Sequence, residues 1–200
     1  MKIYDFIGAP NPKKVRIYLV EKGLDVELCP VDITQGEQRS PEFLAKNPMG
    51  GLPVLELDDG RCFSESLAII EYLEELHPEP PMIGTSPEER MRIRMLERIC
   101  ELGVLARVAQ WMRHSSAFFA GRVKQNPAIA SAALDQCHRQ LRLIDGYIGE
   151  PFVAGERISI ADCTLFATLW FAHVMKMPLE LPPNVARFNA DFRKRPSAKA

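Results

Sequence analysis

The sequence predicts an α/β domain followed by an all-α domain, and three observations lead there. Alternating, helical and again alternating apolar patterns fill roughly the first 30 residues, the length of one βαβ unit. Four prolines, Pro78, Pro80, Pro81 and Pro87, then crowd the stretch after His77. From Pro87 onward, apolar residues recur three or four apart almost to the end. The expected division is 1–77 for the first domain, 78–86 for a stiff linker and 87–200 for the helical domain.

Lys2-Ile3-Tyr4-Asp5-Phe6 alternates as a strand and meets a loop written in turn residues, Gly8-Ala9-Pro10-Asn11-Pro12. Val15, Ile17, Tyr18 and Leu19 follow at helical spacing, with Lys13, Lys14, Arg16, Glu21 and Lys22 assigned to the opposite face. Asn11 suits the N-cap, Pro12 the first turn and Gly23 the helix end. Asp25 to Val31 alternates again, so a right-handed crossover joins two parallel strands. Asp32 to Pro48 reads as a polar connection with a short helix from Pro41 to about Lys46. Pro53 cannot donate to a ladder, so it opens the next strand, Val54 to Leu57. Asp58-Asp59-Gly60 makes a tight hairpin turn into Arg61-Cys62-Phe63. Ser64 is the expected cap, and Glu65 a dipole-favoured first-turn residue, of a helix carrying Leu67, Ala68, Ile69, Ile70, Tyr72 and Leu73. The order is βαβ-α-ββα, which is thioredoxin-like.

In the second domain Met91, Met95, Ile99, Leu102, Leu105 and Val108 form the expected buried stripe, with Glu88, Glu89, Arg92 and Arg94 between them. Another helix runs from about Asn126 to Tyr147. Ser159-Ile160-Ala161-Asp162 is a capping box ahead of Cys163, Leu165, Phe166, Leu169 and Trp170.

At 46% hydrophobic, 200 residues can bury a substantial core. Twenty-five basic against 26 acidic residues give no general attraction to nucleic acid. No apolar run nears the ~20 residues of a membrane helix and no leader pattern opens the chain, so a cytoplasmic protein with no membrane partner is expected. Five scattered cysteines without a C-x-x-C spacing argue against a disulfide framework and against a zinc site, and no metal is expected.

The chemistry concentrates between Asn47 and Glu75. If the Leu52-Pro53 bond is cis, Leu52 turns its N–H and C=O away from the sheet, where an extended peptide can pair with both. Ser64-Glu65-Ser66 reads as a helix start, and equally as a site where free N–H groups and a hydroxyl take a carboxylate while Glu65 takes an ammonium. Gly51-Leu52-Pro53-Val54-Leu55 together with Ser64-Glu65-Ser66-Leu67-Ala68-Ile69 resembles the glutathione-binding half of the glutathione transferase superfamily. The Ser159 to Asp162 box extends the resemblance, since it heads the buried central helix of that family's second domain. The resemblance implies a cis proline at Pro53, backbone pairing of Leu52 with the cysteinyl unit of glutathione, and Glu65 and Ser66 on the γ-glutamyl group. Gln38, with Gln35 and Arg39, is expected near the far end of the ligand. An acceptor pocket is expected between the loop holding Ala9 and the second domain, with Trp111, His114 and Phe118 as candidates. A lone His114 on an apolar helix reads more often as structural than as catalytic, so it stands as a pocket candidate only. Family members often continue with a further helical segment that can cover this pocket, expected here to be short or missing.

A thiol of pKa about 8.5 is mostly protonated at neutral pH, so its thiolate needs a donor. In the family that donor is a tyrosine, serine or cysteine after the first strand, and the usual serine falls at Ala9. Three substitutes stand nearby: the Asn11 amide, backbone N–H groups of the first helix, and Tyr4. Asn11 is favoured as the catalytic residue, although it reads equally well as a cap; some bacterial members that resemble this arrangement act on disulfides. The expected activity is conjugation of glutathione, as cosubstrate, to an electrophilic small molecule by a homodimer. A glutathione-dependent disulfide oxidoreductase and a non-catalytic glutathione-binding protein are the alternatives.

Overall fold

The strand β1 (Lys2–Asp5) lies inside a four-stranded sheet of order β2-β1-β3-β4. β2 (Glu27–Pro30) runs parallel to it with Tyr4 opposite Cys29, and β3 (Val54–Glu56) runs antiparallel with Tyr4 opposite Val54. β4 (Cys62–Ser64) completes the hairpin, whose turn holds Gly60 at φ 84°, a conformation glycine adopts without cost. Parallel pairing of β1 and β2 demands a crossover, and α1 (Pro10–Lys22) supplies it. Gly23, at φ 66°, ends α1 by sending its own N–H and that of Leu24 back to Val20 and Leu19. A short α2 (Pro41–Leu44) precedes β3, and α3 (Ser66–Leu76) follows β4. The computed structural model describes residues 1–200, and this thioredoxin-like unit comprises Met1–Pro81 together with Pro196–Ala200.

α1 departs from the amphipathic helix that its sequence suggests. Lys13, Lys14, Arg16 and Lys22, assigned to a solvated face, are all buried. The helix packs against α3 on one side and against residues 196–199 on another, so its cations find partners instead of water. Arg16 pairs with Asp5 at 2.6 Å, and Lys22 with Glu74 at 3.0 Å, where the Tyr18 hydroxyl also donates. Charged positions at helical spacing look alike whether they face solvent or buried partners, which is why spacing alone misplaced them.

The second unit, Met82–Arg195, is all-helical. α4 (Pro87–Arg98) runs into a π-helical segment, Ile99–Leu105, and then α5 (Ala106–Ser115). α6 (Pro127–Asp145), α7 (Ile160–Val174) and α8 (Pro183–Phe192) follow. The expected stripe is corrected here. Met91, Met95 and Leu102 are exposed, while Ile93, Leu96, Cys100 and Val104 lie inside with Leu105 and Val108. Both sets recur three or four apart, so periodicity could not choose between them, and the π segment shifts the angular register partway along.

α7 is the core of this unit, with every residue from Ile160 to Leu169 buried. The expected capping box is present. The Asp162 carboxylate accepts from the Ser159 N–H at 2.8 Å, the Ser159 hydroxyl at 2.7 Å and, beyond the box itself, the Val153 N–H at 2.8 Å. Burial pushes this carboxyl up to about 6 despite those donors.

Candidate functional site

Asn47 organises the loop that delivers Leu52. Nearly buried, it donates from Nδ2 to the Gly51 carbonyl at 2.9 Å and accepts from the Met49 N–H at 3.1 Å. Gly50 sits at φ 62°, where a Cβ would lie 2.8 Å from the Gln38 carbonyl, so no other residue fits without movement. The Leu52–Pro53 peptide is cis. The Leu52 side chain packs against Val31, Phe43 and Val54, while its N–H and C=O have no partner within the chain. Extending the antiparallel register of β1 and β3 places Leu52 level with Phe6, where the loop to Ala9 begins. A peptide lying along Leu52 therefore has a free main-chain donor and acceptor beside it and the start of α1 next to it.

One residue turns β4 into α3. Ser64, expected as the cap, is the last residue of β4, opposite Val54. Glu65 takes the cap position instead, at φ 73° and ψ 109°. A side chain held there costs on the order of 1–3 kcal/mol, and such residues gather at ligand sites. No side chain caps α3, so its first N–H groups stay unpaired within the chain. Glu65 is exposed, whereas Ser66 is 4% exposed. Free N–H groups and a hydroxyl suit an α-carboxylate, and the Glu65 carboxylate beside them suits an α-ammonium. Gln38, expected at the far end of the ligand, is half-buried with its Oε1 buried and unpartnered. Arg39 donates to the Met49 carbonyl at 3.3 Å.

At the start of α1, Ala9 occupies the cap position and offers no side-chain bond. Asn11 is not the cap: it lies second in the helix, and its buried Oδ1 has no partner. Pro10 and Pro12 have no N–H, the Ala9 N–H donates to Phe6, and the Lys13 N–H donates to Ala9. The backbone donors considered for the thiolate thus reduce to one, the N–H of Asn11. Tyr4 is excluded from that role because its hydroxyl donates to Glu56 at 2.8 Å. Lys46 joins the same carboxylate at 2.7 Å, and the Lys46 and Tyr4 donors hold Glu56 down at about 2. Arg16 fastens the loop above, donating to the carbonyls of Phe6 at 3.5 Å and Ile7 at 3.1 Å while paired with Asp5.

In the second unit, Trp111 is half-buried on α5. His114 accepts the Asn126 N–H on Nδ1 at 3.3 Å, which ties the last turn of α5 to the start of α6. Phe118 is exposed, edge-on to Phe119 at 5.1 Å and under the Arg122 guanidinium at 4.4 Å. No group of three His, Cys, Asp or Glu residues is arranged to hold a metal. Sequence reasoning missed Asn47 and the Asp5–Arg16 clamp. Asn47 stood in a turn-rich stretch that hinted at a loop anchor, but a pair eleven residues apart across a strand and a helix leaves no spacing signal.

Comparison with known proteins agrees with this geometry. Residues 3–81 match the N-terminal domain of glutathione S-transferases and residues 127–196 match the C-terminal domain. Glutathione S-transferase 2 of Saccharomyces cerevisiae is 36% identical over 207 residues, covering 100% of this chain and 88% of that protein. Maleylacetoacetate isomerase of Pseudomonas aeruginosa is 31% identical over 198 residues, covering 94% and 88%. A glutathione S-transferase domain-containing protein of Marinobacter aquaeolei VT8 superposes with a TM-score of 0.89 at 36% identity, covering 99% of this chain and 100% of that one. No helix is long and apolar enough to cross a membrane. With both domains matched and relatives aligned over nearly its whole length, the chain belongs to the glutathione S-transferase superfamily of enzymes.

Proposed function

We propose that this enzyme conjugates glutathione to electrophilic small molecules, holding the thiolate at the start of α1 through the N–H and side-chain amide of Asn11. The observation that carries the reading is the run of unsatisfied groups in one unit: the Leu52 main chain, the uncapped start of α3 beside Glu65, and the Asn11 side chain, whose Oδ1 is buried without a partner and whose Nδ2 amine is the group that can donate to sulfur. The γ-glutamyl end docks on Ser66 and Glu65, the cysteinyl main chain on Leu52, and Gln38 takes the remaining end. That leaves the sulfur at the loop opposite Leu52. A neutral amide and one N–H favour the thiolate less than a hydroxyl plus a full set of N–H groups would. The thiol loses its proton to solvent, the thiolate attacks the electrophilic carbon, and the leaving group departs with its electron pair.

The methyl of Ala9 favours a second reading, in which the activated thiol adds reversibly or exchanges with a disulfide and a poised nucleophile matters less. The isomerase relatives point the same way. Calorimetric titration with glutathione, followed by turnover assays on a chloronitrobenzene-type acceptor, a small disulfide and maleylacetoacetate, separates these. A conjugate consumes glutathione, reduction yields glutathione disulfide, and isomerisation returns glutathione unchanged. Binding with no turnover on any of the three would overturn the catalytic reading. Self-association is proposed through α4 and the π-helical segment after it, whose Met91, Met95 and Leu102 are unusually exposed for apolar side chains; sedimentation of a Met95→Glu variant as the same species as the parent would remove that face. A cytoplasmic location follows from the same reading.

A further inference from the structure

The start of α1 is poorly held by its own sequence. It has no side-chain cap and no acidic residue in its first turn, and Pro12 removes one of the N–H groups that would close that turn. Yet Lys13, two residues beyond Asn11, is only 3% exposed, and Ser197 is fully buried. Residues 196–199 form a 3-10 turn packed on α1. The Lys13 ammonium donates to the carbonyl of Ala198 at 3.0 Å and to a main-chain oxygen of Ala200 at 2.6 Å, and the Ser197 hydroxyl donates to Glu21. Burial, with Arg16 adding to it, pushes the Lys13 amine down to about 8, as befits an ammonium seated away from water.

We propose that Lys13 and residues 196–200 form a clasp that positions the first turn of α1, and with it Asn11, against the glutathione sulfur. A buried ammonium is costly unless its hydrogen bonds are made, so the contacts at Ala198 and Ala200 and the one at Glu21 fasten the helix at its two ends. The clasp is far in sequence from the residues that bind the rest of glutathione, and it touches none of Leu52, Glu65 or Ser66. It therefore acts on the sulfur and not on overall affinity. The proposal rests on the reading that Asn11 faces the thiol. Lys13 and Ser197 are positioning residues, since neither contacts the ligand in this account.

The test compares Lys13→Met, Lys13→Arg, Ser197→Ala and Asn11→Ala with the parent, measuring glutathione affinity by calorimetry and the pH titration of thiolate absorbance in the bound complex. Lys13→Met and Ser197→Ala are expected to keep affinity within about threefold while cutting the thiolate fraction at neutral pH by about tenfold, one pKa unit. Lys13→Arg, which can still reach carbonyl acceptors, should restore most of it. Should Lys13→Met fail to fold, Ser197→Ala removes only one hydroxyl and carries the test alone. If the clasp variants shift the titration and Asn11→Ala does not, the clasp stands and acts through the Asn11 N–H, while the side-chain reading falls. If Asn11→Ala shifts it and the clasp variants do not, the clasp is overturned and the Asn11 reading stands. An unmoved titration in all of them overturns both.

Discussion

Replacing Asp162 tests the core of the helical unit and has opposing terms that the structure lets one weigh. The carboxylate is fully buried and accepts three hydrogen bonds, from the Ser159 N–H, the Ser159 hydroxyl and the Val153 N–H. Asp162→Ala leaves two N–H groups and a hydroxyl without their acceptor in a dry site, at about 1–3 kcal/mol per unsatisfied group. Against this, it removes a charge whose burial raises the carboxyl from 3.8 to about 6. That gap of about two units amounts to roughly 3 kcal/mol at 1.36 kcal/mol per unit. The net expectation at pH 7.5 is a loss of about 3 kcal/mol, or roughly 6–12 °C in Tm for a chain of this length. The pH dependence has a definite sign. Between 3.8 and about 6 the folded state holds a proton that the unfolded state has released, so the contribution of Asp162 to stability falls as pH rises through that window. Asp162→Asn cannot titrate, so the stability gap between parent and Asp162→Asn should widen by about 2 kcal/mol on acidification from pH 7.5 to 4.5. Urea melts at both values check this. An Asp162→Ala melt that coincides with the parent would refute the capping argument, and a gap that narrows in acid would show that the three donors outweigh burial.

Glu65→Gly should do two opposite things, stabilising the fold by up to about 1 kcal/mol by relieving a side chain at φ 73° while weakening glutathione binding by about 1–3 kcal/mol; calorimetry beside thermal melts reads both, and unchanged affinity would remove Glu65 from the site. Ser66→Ala should weaken binding over the same range, with unchanged calorimetric affinity as the contrary result. Glu56, held near 2 by Lys46 and Tyr4, contributes stability above its unfolded value of 4.5 that is lost as pH falls toward 2. With solvent screening, Glu56→Gln should therefore cost about 1 kcal/mol at pH 7 and little at pH 2.5, and an equal cost at both would contradict the depressed value. Ala9→Ser should lower the pKa of bound glutathione and raise conjugating turnover, and an unmoved thiolate titration would show that position 9 does not face the sulfur.

What local pattern can specify, the sequence specified. Alternation, turn residues and breakers located all four strands, the hairpin at Gly60, the end of α1 at Gly23 and the box at Ser159 and Asp162, because each depends on neighbours within a few residues. The pair of motifs around Leu52-Pro53 and Glu65-Ser66 likewise pointed to the family, since each is a short run of neighbouring residues. Tertiary structure decided the rest. Which stripe of α4 faces inward depended on the partner α7, and not on spacing, which fits two stripes equally. Whether the cations of α1 meet water or carboxylates depended on Asp5, Glu74 and residues 196–200, up to 187 positions away in the chain. Glu65 displaced Ser64 from the cap because β4 runs one residue further than its apolar pattern, in register with Val54. Which donors near the start of α1 are already paired was likewise decided by the fold, where the N–H groups of Ala9 and Lys13 and the Tyr4 hydroxyl have acceptors, because a sequence names possible donors and only the fold shows which are spent.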